Sequence, residues 1–168
     1  MRTPGPIQNA PPQAPELGGR ISLTARQVLG LPLLAAVPLL AVLGVFGERA
    51  TTAVARSAVT EVTVTYPSRF RYRQVQPLRV TVRNRSATTL DTVFVSFDTA
   101  YIARFSSVRF DPAVTSAFVV PVARLGPGVA ALVSAELWGE AYGRHRGRVV
   151  VSTKGDSLSI PISTIVFP

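Results

Sequence analysis

The sequence has no cysteine and only one histidine, one tryptophan and one lysine. The missing cysteine excludes disulfides, thiolate zinc centres, iron–sulfur clusters and cysteine nucleophiles. A single histidine excludes a multi-histidine metal or haem site within this chain, and no cofactor is expected. Charge is scarce as well: 16% of 168 residues, where ordinary soluble domains carry about 25%. Acidic residues are the rarer sign, nine against eighteen basic, for a formal net charge of +9. Such a balance is one mark of nucleic-acid binding. Here seventeen of the eighteen basic residues are arginine, with Lys154 alone, and they are spread along the chain with no basic tail. That pattern fits GC-rich coding better than selection for phosphate contact.

The charge is missing mainly from one place. Residues 27–47 carry none, and VLGLPLLAAVPLLAVLGVF from Val28 to Phe46 is apolar throughout. At about 1.5 Å per residue these 19 residues rise roughly 29 Å as a helix, near the ~30 Å bilayer core. The pattern predicts a transmembrane helix over 27–47, with Pro32 and Pro38 as kinks. Gly30, Ala35, Ala36, Ala41 and Gly44 offer small positions where another helix can approach. Residues 1–26 precede it as a proline-rich tail, with five prolines and three glycines in the first twenty. That composition buries too little surface to offset its ordering entropy. Ala53-Val54-Ala55 has the form of a signal-peptide cleavage site, the competing explanation. The apolar run is too long and its lead too extended for that, so an uncleaved signal anchor is expected. Arg20 and Arg26 on one flank balance Arg49 and Arg56 on the other, so charge does not decide topology.

Residues 48–58, ERATTAVARSA, read as a helical extension or linker. From Val59 the pattern turns to period two. Strands are predicted at 60–66, 77–83, 90–98, 114–122, 129–138, 147–153 and 157–167, with shorter edge pieces near 70–74 and 101–110. Turn residues separate them at Asn84-Arg85-Ser86, Asp111-Pro112, Gly126-Pro127-Gly128, Gly143 and Lys154-Gly155-Asp156. About seven short strands over 59–168 imply an all-β domain: an immunoglobulin-like antiparallel β-sandwich without a disulfide. A closed barrel is the alternative. Alternation places Leu78, Val80, Val82, Val93, Val95 and Phe97 inside and Phe94 on the opposite face. Segment 129–138 is apolar in either register and also suits a helix by composition. Trp138 is expected at the sandwich edge.

The stretch from Thr81 to Val151 resembles bacterial immunoglobulin-like modules of the CARDB/DUF11 type. VRNRSATTLDTVFVSFD supplies strand, polar turn and strand, and RLGPGVAALVSAELWGEAYGRHRGRVVV supplies the Leu-Gly-Pro-Gly and glycine-rich turns. The resemblance implies an extracytoplasmic adhesive or structural module and carries no catalytic residue across. Arginine richness and a single copy set this chain apart from that pattern.

Catalytic constellations are hard to find. His145, in Gly143-Arg144-His145-Arg146-Gly147, reads as a solvated hairpin residue with no nucleophile or orienting carboxylate marked by spacing. Ser152, Lys154 and Ser157 bracket an ordinary turn, a weak case for a Ser–Lys pair. Asp98 and Asp111 have no spacing that makes them an acid/base couple. Asn84-Arg85-Ser86 fits a glycosylation sequon by chance composition. The chain is therefore not expected to be an enzyme.

Arginine at period two is the strongest surface pattern. Arg69, Arg71 and Arg73 alternate with Phe70 and Tyr72; Arg144, Arg146 and Arg148 repeat the spacing. In extended backbone each set places three guanidiniums on one face, suited to carboxylate or phosphate. These arginines, with Phe70, Tyr72, Phe94 and Trp138, are the expected partner-binding residues. The expected function is a non-catalytic accessory or scaffold subunit of a larger integral membrane complex, of which a respiratory or photosynthetic one is an example. Its partners would be other membrane subunits and the lipid bilayer with its anionic headgroups. The expected location is a bacterial inner membrane, N-terminus cytoplasmic and C-terminal domain periplasmic, which leaves no nucleic acid as partner. The alternative is a free-standing membrane-anchored binding or adhesion module.

Overall fold

The computed structural model describes residues 25–42, 44, 47–115 and 118–168, without the side chains of 25–29 and 31. All but two residues of the predicted tail over 1–26 lie outside the described residues. The chain divides into two compact units, Met1–Val45 and Phe46–Pro168, each described by itself.

In the first unit, α1 spans Ala25–Val42 and runs through both Pro32 and Pro38. It ends short of the predicted boundary at 47. Gly44 takes a left-handed φ of 72° and donates its N–H to the Ala41 carbonyl, a geometry that closes a helix. Among the described residues no helix is long and apolar enough to cross a membrane. Leu33, Leu34, Val37, Leu39 and Val42 are each more than half exposed. At 100° per residue they are spread over about 240° of the circumference of α1, a wider arc than one buried stripe.

Among its described residues the second unit consists mainly of strands, with a short helix between two of them. The strands are β1 (Arg49–Arg56), β2 (Thr60–Arg71), β3 (Val75–Asn84), β4 (Leu90–Phe97), β5 (Phe105–Asp111), β6 (Val119–Leu125), β7 (Ala130–Gly139), β8 (Gly143–Thr153) and β9 (Asp156–Phe167); helix α2 (Thr99–Ile102) lies between β4 and β5. The hydrogen-bonded order is β5-β7-β3-β2-β9-β8-β4-β6, with β1 added to β2. The path ends at β5 and β6 without joining them, so this is a curled open sheet and not a closed barrel. Its two halves face each other across one core. β3 and β7 contribute Leu78, Val80, Val82, Val133, Ala135 and Leu137; β4, β8 and β9 contribute Val93, Val95, Phe97, Val149, Val151, Ile160 and Ile162. The domain is all-β as predicted, a curled sheet of nine described strands where about seven were predicted, and β2 pairs with β9 in parallel where antiparallel pairing was expected.

Strand β2 joins the halves. Thr60–Thr65 pair antiparallel with β3, while Arg69–Arg71 pair parallel with β9. The change comes at Pro67, which has no N–H to give a ladder. The β1–β2 register also shifts there, between Arg49 and Ala50. The Pro67 carbonyl turns into the core and accepts a hydrogen bond from Thr164 Oγ1 at 2.7 Å. Thr164 in turn accepts from the Tyr101 hydroxyl at 2.8 Å. Tyr101 sits on α2, capped by Asp98, whose carboxylate accepts from the N–H groups of Ala100 and Tyr101. Its ring lies over Gly147 of β8, where a Cβ would come 2.7 Å from Tyr101 Cγ. At the other end of the domain the Asp156 carboxylate accepts from Ser57 and Thr60, tying the β1–β2 turn to the β8–β9 turn.

Several predicted elements need correction. The supposed helical linker 48–58 is largely β1: RATTAVAR alternates, and Ala53 and Ala55 pack on the core. Within β1, Ala53, Val54 and Ala55 pair with Val64, Thr63 and Val62, so the apparent cleavage site is paired backbone of the folded domain. The predicted edge piece near 70–74 is the end of β2 plus a turn. The piece near 101–110 is split between α2 and β5. The strand predicted at 114–122 begins only at Val119. Thr115 closes a turn before it, with its N–H and hydroxyl both donating to the Val119 carbonyl; residues 116 and 117 are outside the description. Segment 129–138 is a strand, as read, and not a helix. Its inner set is Val133, Ala135 and Leu137, leaving Leu132 and Trp138 outside.

Two outcomes are expected from this packing. Gly147→Ala forces Tyr101 aside and costs about 2 kcal/mol, measured by urea unfolding. Burial raises the Tyr101 pKa from 10.0 to about 12, against the opposing effect of the Thr164 hydrogen bond. The native state therefore holds the neutral phenol more tightly than the unfolded chain does. That contribution is full below pH 10 and is lost as pH rises through 12. Tyr101→Phe removes this alkaline loss and costs about 1 kcal/mol at neutral pH; equilibrium unfolding at pH 7 and pH 11 checks both.

Candidate functional site: an arginine face

Strand β8 alternates as the period-two pattern requires. Arg144, Arg146 and Arg148 are exposed on the outer face, and His145 is buried between them. His145 is not the solvated hairpin residue expected. Its Nε2 lies 2.8 Å from the Ala141 carbonyl; a carbonyl only accepts, so Nε2 donates. The ring also meets Phe105 edge-on at 5.9 Å between centroids. Both interactions hold the ring as a structural group.

The other arginine triplet is broken by the backbone. Arg69 and Arg71 lie on the outer side of β2, and Phe70 between them is fully buried. Phe70 therefore belongs to the core, stacked near Phe105, and cannot contact a partner as expected. Arg73 is past the end of β2, in the turn, at φ 60°. Its guanidinium carbon stands 5.3 Å from the Tyr72 ring centroid, a cation–π contact. The left-handed turn separates it from the line of Arg69 and Arg71.

What the structure adds is the meeting of the two sets. Arg69 pairs with Ile165 of β9, and Ile165 pairs with Arg144 of β8. On the other side, Arg69 pairs with Arg49 of β1. Arg49, Arg69, Ile165 and Arg144 thus form one row across four strands. A groove of about 250 Å³ opens over this row, lined also by Thr51, Ser68 and Ser163. A second groove of about 390 Å³ continues along β8 and β9, lined by Arg146, Arg148, Ser159, Pro161 and Asp98. Among the described residues Asp98 is the one carboxylate lining the two grooves, and Arg148 Nε stands 4.0 Å from it. Among the described residues Arg49, Arg144 and Arg146 have no carboxylate partner. Arg49 and Arg144 in one groove, beside serine and threonine hydroxyls, suit an anion with several oxygens. Sequence reading missed Arg49, because it was assigned to a helical linker. The strand pattern of RATTAVAR was the available signal.

The remaining candidates are dispersed. Phe94 is 44% exposed on β4 and Trp138 40% exposed on β7, in different halves of the sheet. Tyr72 packs against Tyr142, with centroids 4.7 Å apart. Ser152 pairs with Ser157 beside the β8–β9 turn, and neither bonds to Lys154 among the described residues. Asn84 is buried: its side-chain amide donates to the Thr88 and Leu125 carbonyls at 2.7 and 2.8 Å, and its Oδ1 accepts from Ser86. The amide nitrogen of the sequon is committed to holding the β3–β4 turn. Among the described residues no group of three or more His, Asp or Glu stands ready to hold a metal ion.

Replacing outward residues should differ sharply from replacing the inward one. Arg144→Gln and Arg146→Gln should change unfolding free energy by less than about 0.5 kcal/mol, as surface substitutions without partners. His145→Ala should cost about 2 kcal/mol through lost packing and an orphaned carbonyl. Urea denaturation of the three variants makes the comparison.

No family model and no curated protein matches the sequence. Solved structures do show likeness. The CARDB domain of the PF1109 protein from Pyrococcus furiosus, determined in complex with di-metal ions, is 12% identical, covers 69% of this chain and 89% of its own, and superposes with a TM-score of 0.44. WR4, a C. elegans MSP family member, is 9% identical over 66% of this chain and 100% of its own, with a TM-score of 0.39. A β-glucosidase from Listeria innocua in complex with isofagomine is 15% identical over 71% of this chain and only 16% of its own, with a TM-score of 0.36.

Proposed function

We propose that this chain is a non-catalytic accessory subunit of an integral membrane assembly, anchored by its apolar segment and holding an acidic protein partner on its arginine face. The carrying observation is the convergence of Arg49, Arg69 and Arg144 on one groove, continued by Arg146 and Arg148. Desolvating Arg49, Arg144 and Arg146, which have no carboxylate partner among the described residues, is favourable only against carboxylates or phosphates that pair with them. Such complementarity sets partner choice and encounter rate. Anchorage is supported by the apolar run from Val28 to Phe46 and by the exposed apolar side chains of α1. The non-enzymatic part is supported by the engagement of His145 in the core and the scatter of the remaining polar groups.

Purification in mild detergent from the native membrane tests this. The expected result is recovery of the chain at fixed stoichiometry in one large particle. The double variant Arg144→Glu, Arg146→Glu should lose the partner while unfolding at the same urea concentration as the parent. Recovery as a lone monomer would overturn the accessory role in favour of a free-standing anchored module. Retention of the partner by the double variant at low salt would overturn the arginine face as the docking surface.

A further inference from the structure

The ends of the β-domain are chemically unlike. One end carries the start of β1 at Arg49, the end of β9 at Phe167, the β2–β3 turn and the β7–β8 turn. The other carries the turns around Ser57, Asn84, Gly128 and Gly155. At the first end Val75 pairs with Trp138 across β3 and β7, both on the outer face and 45% and 40% exposed. Tyr142, 56% exposed, packs on Tyr72, and Arg73 covers the other part of that cluster. Arg71 is exposed at the tip of β2. Two acidic residues are also here: Glu140, and Glu48, which accepts a hydrogen bond from Gln76 Nε2 at 2.7 Å. Exposed tryptophan and tyrosine beside arginine is the composition that settles at the headgroup level of a bilayer.

From these features we infer that this end of the domain seats on an anionic phospholipid surface, with Trp138 and Tyr142 in the headgroup layer and Arg71 and Arg73 on lipid phosphates. Chain connectivity supplies the occupant. The apolar run ends at Phe46, and β1 begins three residues later at Arg49, at this same end. At no more than about 3.6 Å per residue, that link cannot carry this end far from where the run leaves the bilayer. The inference rests on the anchoring proposed above and specifies which surface of the domain the membrane meets. The opposite end, with Arg83 and Arg85 but no exposed aromatic pair, faces away.

Trp138 is the sole tryptophan, so the full chain carries its own probe. The chain is reconstituted into vesicles of phosphatidylcholine alone or with 30% phosphatidylglycerol, and excited at 295 nm. Vesicles whose lipids are brominated near the headgroup provide quenching. The expected result is a blue-shifted emission and quenching about twofold stronger in the anionic vesicles. Arg71→Gln, Arg73→Gln should abolish that difference, while Arg83→Gln, Arg85→Gln should leave it intact. Membrane insertion is read separately by resistance to carbonate extraction. A chain that resists extraction but shows unshifted, unquenched Trp138 overturns the seating and leaves the anchor standing. A chain extracted by carbonate overturns the anchor itself. Equal quenching in both vesicle types overturns the role of the arginines.

Discussion

The hydrogen bond that Thr164 gives to the Pro67 carbonyl holds the domain in its shape. A proline inside β2 removes a ladder donor at the point where the strand leaves one half of the sheet for the other. Its carbonyl then faces the core, where an unpaired acceptor costs about 1–3 kcal/mol. Thr164 supplies the donor, and the Tyr101 hydroxyl satisfies Thr164. This chain links β2, β9 and α2, three elements far apart in sequence. It also explains why α2 exists where an extended piece was expected: Asp98 caps a single turn that delivers Tyr101 over Gly147.

The arginine face follows from that crossing. Only because β2 changes partner after Pro67 does Arg69 come beside Ile165, and through it beside Arg144. A β2 that stayed wholly with β3 would leave the two arginine sets in different halves of the sandwich. The shift in β1–β2 register at the same point brings Arg49 into the row. A core device thus sets the spacing of surface charges. Core substitutions around Tyr101 would therefore disturb the groove over Arg69 without touching any arginine.

Much of the domain is legible in the alternation of its residues. Leu78, Val80, Val82, Val93, Val95 and Phe97 are inside and Phe94 outside because side chains in a strand alternate strictly, and one buried face fixes the register. Local exceptions were not legible. Arg73 breaks its triplet because a two-strand connection needs a left-handed residue there, and arginine carries no sign of it. His145 is no such exception: with Arg144 and Arg146 outward, alternation itself turns it inward, where its ring bonds the Ala141 carbonyl. The linker over 48–58 was misassigned because alanine favours helix in isolation, while an available edge on β2 favours strand.

By itself the sequence determined the apolar segment, the strand-rich domain after it, the turns that delimit most strands and the sidedness of Arg144, Arg146 and Arg148. These are properties of near neighbours in the chain, set by periodicity and backbone preference. Tertiary structure alone decided that β2 serves both halves of the sheet and that Arg49, Arg69 and Arg144 share a groove. Those outcomes depend on pairing between residues up to about a hundred positions apart. Such pairing is selected by the joint burial of two sheet faces and the satisfaction of inward polar groups, which no local pattern encodes.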